Sequence, residues 1–111
     1  MKNSFISLAL AAALANVPAL AGASELPECA VTAAESHGVE LALYSALMRN
    51  ELGEPARDVP CSFFERSALV LASSLEQQNG DRWSAVSLYI NGRIIPSDPA
   101  VDRVRALYEA E

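Results

Sequence analysis

Lysine is almost missing from this 111-residue chain: Lys2 is the only one, and the other basic residues are seven arginines scattered from Arg49 to Arg105. Fourteen acidic residues oppose them, for a formal charge of −6. Nothing basic clusters, so neither nucleic acid nor an anionic lipid surface is expected as a partner, because phosphate binding needs a basic patch. Histidine occurs once, at His37, and cysteine twice. These three residues lack the spacing of a zinc site and no fourth ligand is evident, so neither metal nor cofactor is expected. No glycine-rich, phosphate-cradling loop is present. Long apolar runs are also scarce: the one that stands out is Phe5 to Val17, broken only by Ser7 and Asn16.

That run has the form of an export signal. Lys2 supplies the positive start, and Ala19-Leu20-Ala21 is a small-x-small cleavage sequence. The apolar stretch is too short to span a bilayer comfortably, and Pro18 ends it. Residues 1–21 are therefore read as a signal peptide, with cleavage after Ala21 or, alternatively, Ala23. The product is expected in the periplasm or outside the cell, with no transmembrane segment. Residues 22–27 form a short leader, and 28–111 form one domain. Removal of the signal takes the lysine with it, leaving seven arginines against fourteen acids, a charge of −7.

Two cysteines, Cys29 and Cys61, remain in this exported part. An even count after a signal peptide reads as a disulfide. Closing a loop of about 30 residues stabilises a domain by roughly 3–4 kcal/mol in chain-entropy terms.

The hydrophobic spacing predicts five helices. The first runs from Glu28 to Ser36 and ends at His37-Gly38, where Gly38 can adopt the left-handed cap. The second runs from Glu40 to Leu52, with Val39, Leu43, Ala46 and Leu47 on one face, and is stopped by Gly53 and Pro55. The third begins near Ser62, with Cys61, Phe64, Ala68, Leu71 and Leu75 recurring at three- and four-residue steps, and ends at Asn79-Gly80. A short fourth helix carries Trp83, Val86 and Ile90. Asp98-Pro99 is an N-cap followed by proline, opening a last helix whose inner face is Val101, Val104, Leu107 and Tyr108. The run Val86 to Ile95 also fits a β-hairpin around Asn91-Gly92, although Pro96 and the residues before Trp83 favour helix. Five helices with short links imply an all-α fold, a small orthogonal bundle.

Glu51 is the most informative polar position. It lies four residues after Leu47 and eight after Leu43, on the apolar stripe of the second helix and in its last turn. Desolvation and the negative end of the helix dipole both disfavour a carboxylate there. Both raise its pKa, which suits a general acid. Glu54 and Asp58 fall in the following loop and read as solvated. His37 reads as a favourable charge at a helix C-terminus. Trp83 reads as core, although it could stack on a sugar. Ser62, Ser67, Ser73 and Ser74 lack a nucleophile-elbow context.

Two blocks resemble a known family. The first is the stretch from Cys29 to Leu52, with His37-Gly38-Val39 between two helices and Glu51 in the last turn of the second. The second block comprises Pro60-Cys61, Ala68-Leu69-Val70-Leu71-Ala72, the run Asn79-Gly80-Asp81-Arg82-Trp83-Ser84-Ala85-Val86, and Tyr89. Together they resemble the lytic transglycosylase domain, a lysozyme-like fold, and especially its conjugation- and secretion-associated branch. The chain is a shortened version. Only residues 52–60 separate the blocks, the Gly-Leu-Met-Gln-Ile segment that lines the family's sugar cleft is missing, and Leu52 stands where Ser or Gly usually follows the glutamate. The resemblance implies that Glu51 protonates the glycosidic oxygen between N-acetylmuramic acid and N-acetylglucosamine. It then acts as base while the muramyl 6-hydroxyl closes onto C1. It further implies that Tyr89 and Asn91, in a segment that echoes the family's Tyr-Asn-Ala-Gly, contact the acid or the sugar. The implied partners are peptidoglycan glycan strands and a secretion or conjugation apparatus. A non-catalytic binding or scaffolding module of the same fold is the other reading.

Overall fold

In the computed structural model, residues 26–111 are described. The expected signal peptide and the leader up to residue 25 lie outside that range. Five helices follow: α1 (Glu28–Ser36), α2 (Leu41–Leu52), α3 (Cys61–Gln77), α4 (Arg82–Asn91) and α5 (Pro99–Glu109). No strand occurs among the described residues. The protein is all-α, as its spacing predicts.

Each boundary has a local cause. Gly38 takes φ +70° after α1, and the Val39 amide donates to the Ala34 carbonyl at 2.9 Å, closing the wide turn that a left-handed cap permits. Asn79 repeats this device at the end of α3 with φ 55°, and the Gly80 amide donates to Leu75. The α5 N-cap is Asp98, whose carboxylate accepts from the Ala100 amide at 2.9 Å, with Pro99 at the first helical position. Glu40, expected inside the second helix, is its N-cap residue instead. Its carboxylate makes no cap; it accepts from Arg82 of α4 and Tyr108 of α5, tying the start of α2 to both.

The hairpin alternative is not realised. Helix α4 continues to Asn91, and only then does Gly92 turn the chain in the left-handed conformation. Ser87 holds the returning segment: its buried hydroxyl accepts from the Ile95 amide at 2.8 Å. A strand there would have left these groups without partners.

Helix α3 packs against α1 on one side and α4 on the other, while α2 packs against α5. The face α1 turns inward consists of Ala30, Ala33 and Ala34, so the two backbones can approach closely. The core between the layers is filled by Leu43, Tyr44, Leu47, Phe64, Leu71 and Val104, all essentially inaccessible. Trp83 is only half-buried. Its ring meets Tyr108 edge-on at 5.5 Å, and the Arg105 guanidinium stands 4.9 Å from its centroid. It is part of a surface stack at the α4–α5 junction, not of the core proper.

The disulfide joins Cys29, in the first turn of α1, to Cys61, the first residue of α3, with Cα atoms 5.8 Å apart. It fixes the α1–α3 pair that forms one wall of the bundle. Cys61 was expected on the inner stripe of α3; its side chain is exposed, at the outer edge where the bridge can form. With its ends 32 positions apart in sequence, the bridge stabilises the fold by roughly 3–4 kcal/mol. Chemical denaturation with and without a thiol reductant, and of a Cys29→Ser, Cys61→Ser double variant, should show a loss of that size with helical content retained in native buffer.

Candidate functional site

Helix α2 places Tyr44, Met48, Glu51 and Leu52 along its last three turns, and what lies opposite differs for each. Tyr44 is fully buried. Its hydroxyl donates to the Phe64 carbonyl at 3.1 Å and shares a 2.6 Å hydrogen bond with the Ser67 hydroxyl, both on α3. Ser67 also lies 3.2 Å from the Phe64 carbonyl and 3.9 Å from the Met48 sulfur. Two turns further along the same helix, Glu51 reaches the mouth of the structure. There the Tyr89 hydroxyl of α4 donates to its Oε1 at 2.9 Å. Ser67 and Tyr89 line the same groove there. Three helices thus contribute two hydrogen-bonded pairs, Tyr44 with Ser67 in the core and Tyr89 with Glu51 at the surface.

Around the Glu51–Tyr89 pair is an open groove of about 270 Å³, lined by Glu51, Phe63, Arg66, Ser67, Val70 and Tyr89. It holds a carboxylate, a phenol, a guanidinium and two apolar walls. Phe63 is half-buried and Val70 exposed, so the walls are available to an apolar ring face. The sequence-predicted pair Glu51 and Tyr89 does meet in one groove.

Two expectations need correction. Glu51 was placed on the buried stripe of its helix, but it is exposed. The stripe argument extends a helical face past the point where covering chain exists. Helix α2 ends one residue later, and the short connection 53–60 turns over the face of Met48 and Leu52 instead, with the Arg57 amide donating to the Leu52 carbonyl. Asn91, expected to contact sugar, uses its amide to donate to Asp98 at 2.7 Å and to the Ser87 carbonyl at 3.1 Å. That bond, followed by the Ala100 amide, holds the Asp98 carboxyl below the usual carboxylate range. Asn91 organises the α4–α5 turn and does not line the Glu51 groove.

Other polar residues are engaged elsewhere. Glu54, read as simply solvated, is ion-paired with Arg49, which lowers its pKa. His37 meets Glu65 of α3 at 2.7 Å, so its interaction is with a side chain as well as with a helix end. A second cavity, of about 460 Å³, lies beneath the 53–60 connection against Met48, Leu52, Val59 and Phe64. Among the described residues, no group of three or more His, Cys, Asp or Glu side chains gathers as a metal site would require. Sequence reasoning passed over Ser67 and Tyr44. The signal that could have found them is the spacing: Tyr44 precedes Glu51 by seven residues, two helical turns on one face.

The tyrosines give this geometry a measurable consequence. Burial, with the Glu51 charge and hydrogen bond next, pushes Tyr89 far above the ordinary value of 10.0. Burial also raises Tyr44, and the hydrogen bond to Glu40 raises Tyr108. These are all the tyrosines of the chain. Above pH 10 the unfolded chain releases phenolic protons that the folded chain retains, so stability is full below pH 10 and falls as pH rises beyond it. Tyr89 should keep its proton in the native protein at pH 10–11, and its tyrosinate absorbance, identified by its loss in a Tyr89→Phe variant, should appear together with loss of helical circular dichroism. Ionisation of Tyr89 near pH 10 with the fold intact would contradict this assignment.

No family model matches the chain, and neither a curated protein nor a solved structure does.

Proposed function

We propose that the protein is a small, exported glycan-cleaving enzyme of lytic transglycosylase type, acting on peptidoglycan through Glu51. The observation that carries this reading is the Tyr89 hydroxyl on the Glu51 carboxyl in an open groove, where the two blocks that resemble the family require their acid and tyrosine. The mechanism asks for one carboxyl group. Protonated Glu51 gives its proton to the glycosidic oxygen as the bond to C1 of the muramyl unit breaks. The resulting carboxylate then takes the proton of the muramyl 6-hydroxyl as that oxygen closes onto C1, leaving a 1,6-anhydro product. No second carboxylate has to activate water, because the attacking group is internal to the substrate. Phe63 and Val70 offer an apolar wall to a sugar ring.

A second reading is favoured by two observations on the same groove. Glu51 is exposed, and the groove's volume of about 270 Å³ suits a single sugar residue and not a long glycan. In this reading the domain is a non-catalytic binding or scaffolding module beside a secretion or conjugation apparatus.

One assay separates them. Mature protein incubated with cell-wall sacculi should release 1,6-anhydromuropeptides. Glu51→Gln should lower release by roughly 10²-fold or more, as expected for loss of a general acid–base group, and Tyr89→Phe by roughly tenfold. Binding of sacculi without release, unchanged in Glu51→Gln, would leave the binding module as the better account.

A further inference from the structure

One arginine in the candidate groove is left without a partner. The chain carries fourteen acids against seven arginines and one lysine, so each cation is outnumbered by the groups that could pair with it. Arg49 pairs with Glu54 and Glu111, Arg82 pairs with Glu40, and Arg105 lies over Trp83. Arg66 is exposed on α3 and has no hydrogen-bond, ion-pair or ring partner among the described residues. It nevertheless lines the groove that holds Glu51. The other polar groups there are engaged: Glu51 with Tyr89, and Ser67 with Tyr44 and the Phe64 carbonyl. A guanidinium is a planar donor matched to a carboxylate, and this one stands beside the apolar wall of Phe63 and Val70.

We propose that the groove takes an N-acetyl sugar whose 3-hydroxyl carries a lactyl ether ending in a free carboxylate, and that Arg66 reads this charge. The ring face rests on Phe63 and Val70, and the carboxylate accepts from the Arg66 guanidinium. The anion has to belong to the sugar itself, because a groove of about 270 Å³ suits one sugar residue. When a peptide is attached to the lactyl group, this carboxylate becomes a neutral amide. The first carboxylate of the peptide then stands further out by at least one residue, roughly 3.5 Å. The site therefore selects glycan from which the peptide has been removed. The reaction that must supply such a ligand is an amide hydrolysis. Water adds at the lactyl carbonyl, the C–N bond breaks, the peptide leaves with its amine protonated, and the lactyl carboxylate is set free.

Two charges oppose such a ligand. Glu51, when ionised, repels a second carboxylate at short range, and the net charge of the chain does so at long range. Arg66 is the groove's own cation, and it offsets both. A charge-assisted hydrogen bond of this kind changes affinity by about tenfold. The proposal rests on the glycan reading of the groove but not on cleavage by Glu51, so the two can fail separately.

The test is amide NMR of the mature protein titrated at about pH 7 with three sugars: N-acetylmuramic acid, its lactyl carboxamide, and N-acetylglucosamine, which lacks the lactyl arm. The acid should shift the amides around the groove and bind about tenfold more tightly than either neutral sugar. Arg66→Gln should erase that preference with the fold intact, because Arg66 has no partner within the protein to lose. Arg93→Gln removes the same charge outside the groove and should leave the preference in place. Equal affinity for the acid and the carboxamide, a preference that survives Arg66→Gln or falls equally in Arg93→Gln, or no binding of the acid would each overturn the proposal. Cleavage assays on peptide-bearing and peptide-free strands keep it apart from the enzyme reading. Equal release of 1,6-anhydro products from both would sink the charge selection and leave the enzyme. Preferential binding of the acid without any release would sink the enzyme and leave the charge selection.

Discussion

A single phenolic hydroxyl in the middle of the molecule constrains much of the rest. Tyr44 is fully enclosed, and leaving its oxygen unpaired would cost about 1–3 kcal/mol. Helices α2 and α3 make few close backbone approaches, so the long tyrosine side chain spans the space between them and sets how they face each other. For its hydroxyl to be satisfied, α3 must present the Phe64 carbonyl and the Ser67 side chain at one height. That height in turn fixes where α4, packed on the other flank of α3, brings Tyr89. Glu51 lies two turns beyond Tyr44 on the same helix and emerges where Tyr89 arrives. The groove is the outer end of a packing solution that begins in the core.

The disulfide serves the same arrangement from the opposite end. By joining the starts of α1 and α3 it limits the sliding of α3 along its own axis. The alanine face of α1 gives little lateral grip, since three methyl groups interdigitate less than larger side chains would. A covalent tie near the helix start and a hydrogen-bonded anchor at Phe64 and Ser67 together hold the register that the site needs.

Much of this was readable from residue order alone. Helix ends at Gly38, Asn79-Gly80 and Asp98-Pro99 follow from backbone conformations that few residues tolerate or promote, and those are local rules. The all-α class follows from the three- and four-residue apolar steps, and the cysteine bridge from an even cysteine count. What depends on non-local arrangement was not readable. Periodicity put Glu51 on a buried stripe because it carries no knowledge of where covering chain stops. Asn91 looked free for a ligand because nothing in the sequence shows that Asp98 folds back onto it. Ser67 looked unremarkable because its importance comes from Tyr44, twenty-three positions earlier and on another helix. Trp83 fitted an apolar face by spacing, yet the thin cover at the α4–α5 end leaves it half-buried under an arginine.

That last arrangement gives the molecule a built-in optical reporter. The chain has one tryptophan, and it is held between the Tyr108 edge and the Arg105 guanidinium where α4 meets α5. Its fluorescence therefore follows the seating of the C-terminal helix and is remote from the cysteine bridge. Loosening at the two ends of the bundle can be watched separately, one by emission and the other by thiol accessibility, without adding any foreign label.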